Sequence, residues 1–213
     1  MTPHRFDAVL FDLLTALLDS WSLWSAVAGG EEAGRRWRAE YLRITYRTGA
    51  YRRYETLVAE AAEAVGLPRR VADDLEARYG ELRPWPGVTE ALQALAGRSV
   101  RLGVVTNCSE RLGRIAADCV GVAFDAVITA EQAGFYKPDP RPYRLGLRAL
   151  GVAPERCLFV AGSAYDLVGT AQVGLATYWH DRVGMAAPAE GVAPPLAHET
   201  TLDPLRTWFD PDA

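Results

Sequence analysis

Lysine is nearly absent from this chain of 213 residues: of its 23 basic side chains, 22 are arginine and one is Lys137. Cysteine is scarce too. Its three thiols, Cys108, Cys119 and Cys157, are odd in number, irregularly spaced and form no CxxC pair, which excludes a disulfide framework and a cysteine-built zinc site. Histidine is limited to His4, His180 and His198, without the spacing of metal ligands. No apolar run approaches the length of a bilayer-spanning helix, and residues 1–6 put no long apolar stretch behind a basic patch, so neither a membrane span nor a leader is expected. Strong charge of either sign is missing as well. A net charge of -4, with Arg and Glu interspersed, offers no surface for tracking phosphates, so nucleic acid is not an expected partner. Internal repeats and low-complexity segments are absent. What is present, 49% hydrophobic and 23% charged residues, is the composition expected of a soluble globular protein in a reducing cytoplasm.

Residues 6–11 form a mostly apolar run that stops at Asp12, the pattern of a strand buried in a parallel sheet. Runs of the same kind occur at 100–106, 124–129, 157–161 and 175–179, and helical stripes separate them, such as Leu112, Ile115, Ala116 and Cys119, then Tyr143, Leu147 and Leu150. This alternation predicts an α/β fold: a doubly wound parallel sheet, Rossmann-like, with helices on both faces. One region departs from it. Between Ser20 and Tyr79 there is no convincing strand, but stripes recur at Ala33, Trp37, Tyr41 and Ile44, at Tyr54, Leu57, Val58, Ala61 and Val65, and at Val71, Leu75 and Tyr79. The expectation is an all-helical cap over 18–83 inserted into a core made of 1–17 and 84–213, with a tail after Gly184 that is mostly loop and ends in a short helix or strand.

Ligands of an open parallel sheet collect at the carboxyl ends of its strands. Asp12 follows the first strand, Thr106 and Asn107 the second, Lys137 lies after the third and Asp166 just past the fourth. A lone aspartate there caps a turn more often than it does chemistry. Four such positions together suit nucleophilic catalysis: one carboxylate attacks, an ammonium keeps it ionised, hydroxyl and amide donors bind an anionic group, and a second carboxylate activates water.

These segments, VLFDLLTALLDS around Asp12, VVTNCSER around Thr106, FYKPDPRPY around Lys137 and LFVAGSAYDLVG around Asp166, resemble in that order the haloacid dehalogenase superfamily over essentially the whole chain. The resemblance implies a cap that closes over the site and excludes water. Phosphatases of the superfamily carry a second Asp two residues after the nucleophile and an acidic pair, GDSxxD, that helps to hold Mg²⁺. Here those positions are Leu14 and Gly162. Without them, the chain is most similar to the L-2-haloacid dehalogenase branch, which needs neither metal nor cofactor.

The resemblance then implies Asp12 as nucleophile, Lys137 as its charge partner and Asp166 as the group that orients or activates water. Thr106 and the backbone amides of Leu13 and Leu14 would hold the carboxylate of a small substrate, Asn107 and Arg35 the halide, with Tyr143 and Ser163 also in the site. A homodimer is implied by the resemblance alone. Two departures stand out: the branch pattern DxYGT is here Asp12-Leu13-Leu14-Thr15-Ala16, and SSNAWD is Ala161-Gly162-Ser163-Ala164-Tyr165-Asp166. A Mg²⁺-dependent phosphatase and a binding protein that has lost turnover are the competing expectations. The solitary lysine gives the first test. Arg is a wide planar fork, whereas Lys is a point charge on a thin stem. Lys137→Arg is therefore expected to fold but to bind poorly or turn over slowly; near-normal activity would count against the whole assignment.

Overall fold

The computed structural model describes residues 6–186 and 194–209; His4 and part of the tail after Gly184 lie outside the described residues. Six parallel strands, β1 (Ala8–Phe11), β2 (Arg101–Thr106), β3 (Ala126–Thr129), β4 (Cys157–Ala161), β5 (Ala176–His180) and β6 (Ala197–Glu199), lie in the order β3-β2-β1-β4-β5-β6. Every residue of β1 and β4 is buried, because helices cover both faces of the sheet and leave no position for a polar side chain. The strand order reverses at β1, which pairs with β2 on one side through Phe11–Val104 and with β4 on the other through Phe11–Val160. A crevice opens at such a switch point, just past Phe11. Local chemistry fixes the helix starts beside it. Asp139 caps α8 (Pro140–Leu150), whose first residue is a proline, and Ser163 caps α9 (Ala164–Ala171) by accepting from the Tyr165 amide.

Four helices intervene between β1 and α5 (Val88–Ala96): α1 (Ser20–Val27), α2 (Glu31–Thr48), α3 (Tyr54–Ala64) and α4 (Arg70–Ala77). Their core is aromatic, with Trp24 against Trp37 and Tyr41 at ring distances of 4.4 and 5.3 Å, and Tyr41 against Tyr54 at 5.4 Å. The buried stripe of α2 is Gly34, Trp37, Arg38, Tyr41, Leu42 and Thr45, which corrects the expected stripe of Ala33, Trp37, Tyr41 and Ile44. The cause lies in α1, which crosses Gly34 so closely that a Cβ there would stand 2.3 Å from the Ser25 Cα. That contact turns the helix and brings Arg38 inward.

The two passages between insert and sheet are tied to each other. Asp19 N–H donates to Arg83 O at 2.8 Å, Trp85 N–H donates to Leu17 O at 2.9 Å, and Leu18 bridges Pro84 between them. The insert also grips the sheet side directly, through Tyr41 OH to Asn107 O at 2.7 Å and Ser109 Oγ to Glu55 at 2.7 Å. In the tail, β6 and α10 (Asp203–Trp208) extend the sheet and pack on it. Among the described residues no helix is long and apolar enough to cross a membrane.

Candidate active site

Asp12 leaves the end of β1 with its amide donating to Val160 O at 2.9 Å, so the carboxylate starts from a fixed backbone. The chain then turns back on itself, and the turn aims its donors at one oxygen. Oδ2 accepts from Thr15 N–H at 3.0 Å, Thr15 Oγ1 at 2.5 Å and Ala16 N–H at 3.1 Å. Oδ1 accepts from Lys137 Nζ at 2.8 Å. The turn sits hard against Gly162, where a Cβ would lie 2.3 Å from both Thr15 Oγ1 and Ala16 N. Glycine there is what lets the donors reach Asp12.

Lys137 is placed by its backbone. Asn107 accepts from the Lys137 amide through Oδ1 at 2.7 Å and donates from Nδ2 to Lys137 O at 3.1 Å, a reciprocal pair. The ammonium then lies between two carboxylates, 2.8 Å from Asp12 Oδ1 and 3.0 Å from Asp166 Oδ1, all three side chains nearly free of solvent. Tyr143 OH donates to the same Asp166 oxygen at 2.6 Å. Burial works to raise the Asp12 carboxyl, but the Lys137 charge and the Lys137 and Thr15 hydrogen bonds outweigh it and hold the group below the usual range. For Asp166 burial wins: helped by the Asp12 charge and opposed by Lys137 and Tyr143, it pushes the carboxyl up to about 6. Burial also opposes the Lys137 charge, yet the two carboxylates keep its pKa above the ordinary lysine value.

Above these groups is a cavity lined by Asp12, Leu14, Thr15, Arg38, Tyr41, Leu42, Tyr46, Thr106, Asn107 and Lys137. Arg38 is 1% exposed, its guanidinium stacked over Trp24 and Tyr41 at 5.0 and 5.2 Å. Among the described residues its Nε and Nη1 have no partner, nor does the buried Thr106 hydroxyl. No described residue accepts from the Leu13 or Leu14 amides. A small anion is one group whose chemistry would satisfy these donors.

Asp12, Lys137, Asp166, Thr106, Asn107 and Leu14 thus converge, with Leu13 in the same turn. Asp166 meets the site through Lys137 and does not itself line the cavity, nor do Tyr143 and Ser163: Tyr143 holds the Asp166 carboxylate, and Ser163 caps α9 and meets the Tyr46 phenol. Arg35 is a correction. It lies on the outer face of α2, paired with Glu31 at 2.9 Å and exposed to solvent, and Arg38 occupies the inward position three residues on. Thr15, Arg38, Leu42 and Tyr46 were not anticipated; the position of Arg38 beside Trp37 and Tyr41 was the available signal.

The donor set does not suit Mg²⁺, which takes hard oxygen ligands. Leu14 and Gly162 supply none, the room at Gly162 is filled by the Asp12 turn, and the space between the two carboxylates holds an ammonium. Among the described residues no group of three His, Cys, Asp or Glu is arranged to hold a metal.

A family model for haloacid dehalogenase-like hydrolases matches residues 6–174. The chain belongs to that family. It is 29% identical over 206 residues to haloacetate dehalogenase H-2 of Moraxella sp. (strain B), spanning 89% of this chain and 92% of that protein. It is 30% identical over 217 residues to (S)-2-haloacid dehalogenase 1 of Pseudomonas sp. (strain CBS-3), spanning 93% of each. The fold superposes with a TM-score of 0.84 on the L-2-haloacid dehalogenase of Xanthobacter autotrophicus carrying covalently bound chloropropionic acid, at 23% identity, over 98% of this chain and 100% of that one.

A hydrolase that draws on the Asp166 carboxylate is expected to lose rate as pH falls through about 6, where that group takes up a proton while Asp12 stays ionised. A pH–rate profile reads this directly. An acid limb at or below about 4, the range of an ordinary carboxyl, would point to Asp12 in place of Asp166.

Proposed function

We propose that the protein is a metal-independent 2-haloacid dehalogenase that works through an ester on Asp12. The observation that carries the reading is Arg38, a buried cation whose Nε and Nη1 have no partner among the described residues, lining the same cavity as the ionised Asp12 carboxylate. Oδ1 of Asp12 accepts a single hydrogen bond and keeps a lone pair for attack, whereas Oδ2 is saturated by three. In the first step Oδ1 bonds to the carbon beside the substrate carboxylate, and the carbon–halogen bond breaks with its electron pair going to halide. The Thr106 hydroxyl and the Leu13 and Leu14 amides suit the substrate carboxylate. Arg38 and the remaining amide hydrogen of Asn107 suit the departing halide.

In the second step water attacks Cγ of the ester while Asp166 takes its proton. The Cγ=Oδ2 electron pair moves onto Oδ2, where Thr15 N–H, Thr15 Oγ–H and Ala16 N–H receive it as an oxyanion hole. Collapse expels the 2-hydroxy acid oxygen, which takes the proton back from Asp166; Asp12 retains the oxygen of water and loses the second proton of that water to solvent, which restores the carboxylate. Attack opposite the halide inverts the carbon. The names of the two curated relatives support haloacetate and (S)-2-haloacids as the substrate class, and three free thiols fit a reducing cytoplasm.

Halide release from 2-chloropropionate is expected to survive EDTA, and multiple turnovers in ¹⁸O water should place label in the Asp12 peptide by mass spectrometry. Absence of label with an active substrate would sink the ester mechanism; loss of activity on chelation, with phosphomonoester hydrolysis restored by Mg²⁺, would make the protein a phosphatase. Arg38→Ala should lower kcat/KM about a hundredfold, the order expected when a buried charge partner is removed. Arg35→Ala, on the solvent face, should stay within about twofold.

A further inference from the structure

Three carbonyls of the Asp12 turn are gripped by side chains: Ser20 Oγ–H donates to Leu14 O at 2.5 Å, on the peptide whose N–H, that of Thr15, also reaches Asp12 Oδ2, and two more grips follow along the turn. Trp85 Nε1–H donates to Thr15 O at 3.1 Å, and the His180 ring meets Ala16 O through Nδ1 at 2.8 Å. These last two grips are not equivalent. The peptide that joins Thr15 to Ala16 presents its C=O to Trp85 and its N–H to Asp12 Oδ2, so indole, peptide and carboxylate form one continuous chain of hydrogen bonds. The next peptide presents its C=O to His180, but its N–H, that of Leu17, closes on Leu13 O at 3.1 Å and never touches Asp12.

Hydrogen bonds in series polarise one another, and a donor placed on a peptide oxygen makes the peptide N–H a stronger donor. Trp85 is also rigidly set. Its backbone amide is bonded to Leu17 O, its neighbour Pro84 bridges Leu18, and Arg182 lies over its ring at 5.1 Å. From this geometry we infer that Trp85 is a positioning residue for the hydrolytic half-reaction, acting through the Thr15–Ala16 peptide on the oxyanion hole for Oδ2. The inference rests on the ester mechanism proposed above. The charge that the relay answers is not the same in the two steps. In the alkylation step Oδ2 starts as half of a carboxylate and loses charge as the ester forms; in hydrolysis it gains a full charge. The relay is therefore worth more in the second step than in the first. Trp85 also lies at the passage by which the chain returns from the four-helix insert, so the hydrogen bond ties the oxyanion hole to that passage.

Single-turnover kinetics on Trp85→Phe tests this, because phenylalanine keeps a ring beneath Arg182 and removes the indole N–H. With chloroacetate or 2-chloropropionate, halide release reports alkylation, and intact-protein mass spectrometry reports decay of the ester. The expected result is ester decay slowed about three- to tenfold with halide release within about twofold of wild type, so that covalent enzyme accumulates. His180→Phe is the control for a grip on the same turn outside the relay: it should slow both steps by a similar factor and accumulate no ester. Trp85→Leu is the second variant, for use if phenylalanine is not tolerated, and carries the same expectation. Equal slowing of both steps in the Trp85 variants, unchanged ester decay, or ester accumulation in His180→Phe as well would overturn the assignment of Trp85. Failure of the wild-type protein to release halide at all would instead remove the dehalogenase reading on which it stands.

Discussion

Two carboxylates share one ammonium in a place almost without water, and the rest of the site is arranged around that fact. Asp12 and Asp166 face the same Lys137 Nζ at 2.8 and 3.0 Å. Without the cation they would repel each other across a low-dielectric gap, and a buried pair broken in this way costs roughly 3–5 kcal/mol. With it, the two acids become unlike. Asp12 adds three donors from its own turn to the lysine and is held ionised; Asp166 has only Lys137 and Tyr143 against full burial, and its carboxyl is pushed up to about 6. One lysine thereby separates a carboxylate held ionised from a more basic one, the division that the proposed ester mechanism uses. A guanidinium, wide and forked, does not fit between single oxygens of two carboxylates held this close, which gives a physical reason for lysine at the single position where this arginine-rich chain uses it.

Two carboxylates and one ammonium leave the cluster with one negative charge in excess, and Arg38 offsets it from the opposite side of the cavity without touching either acid. A buried guanidinium with idle donors is costly. Its aromatic bed of Trp21, Trp24 and Tyr41 offsets part of that cost. The remainder is available to an anion that enters. The helical insert is thus more than a cover: it delivers the charge that the sheet lacks, and Tyr41 OH on Asn107 O fixes where that charge stands relative to the strand ends.

The sheet and its acids were legible because they depend on short segments: an apolar run that ends in Asp12 reads as a buried strand, and four polar positions at such strand ends read together as a site. The strand order comes from the structure, whereas the placing of Asp12, Lys137 and Asp166 at strand ends followed from pattern and from the family resemblance. The arginine did not, since its side depends on helix phase, and phase here is set by the contact of α1 with Gly34, a feature of packing that no local pattern carries. Taking Arg35 for the inward arginine misplaced the charge by three residues, onto a face where Glu31 neutralises it in solvent. Trp85 was invisible for a related reason. Its role depends on a hydrogen bond to Thr15 O, 70 residues away in sequence.

The two departures from the dehalogenase pattern, at 14–16 and at 161–163, look independent in the sequence and prove to be one change in space. The pattern DxYGT has glycine where this chain has Thr15, and SSNAWD has serine where it has Gly162. A Cβ at 162 would overlap Thr15 Oγ1 and Ala16 N at 2.3 Å, so a side chain at 162 and the Thr15 hydroxyl in this position exclude each other. The hydroxyl that arrived makes the shortest bond to the nucleophile. The residue that left would have been a steric obstacle to that bond. Seen as a pair, the substitutions preserve a donor on Asp12 Oδ2 and do not erode the site, which argues against a fold that has kept its shape and lost its chemistry.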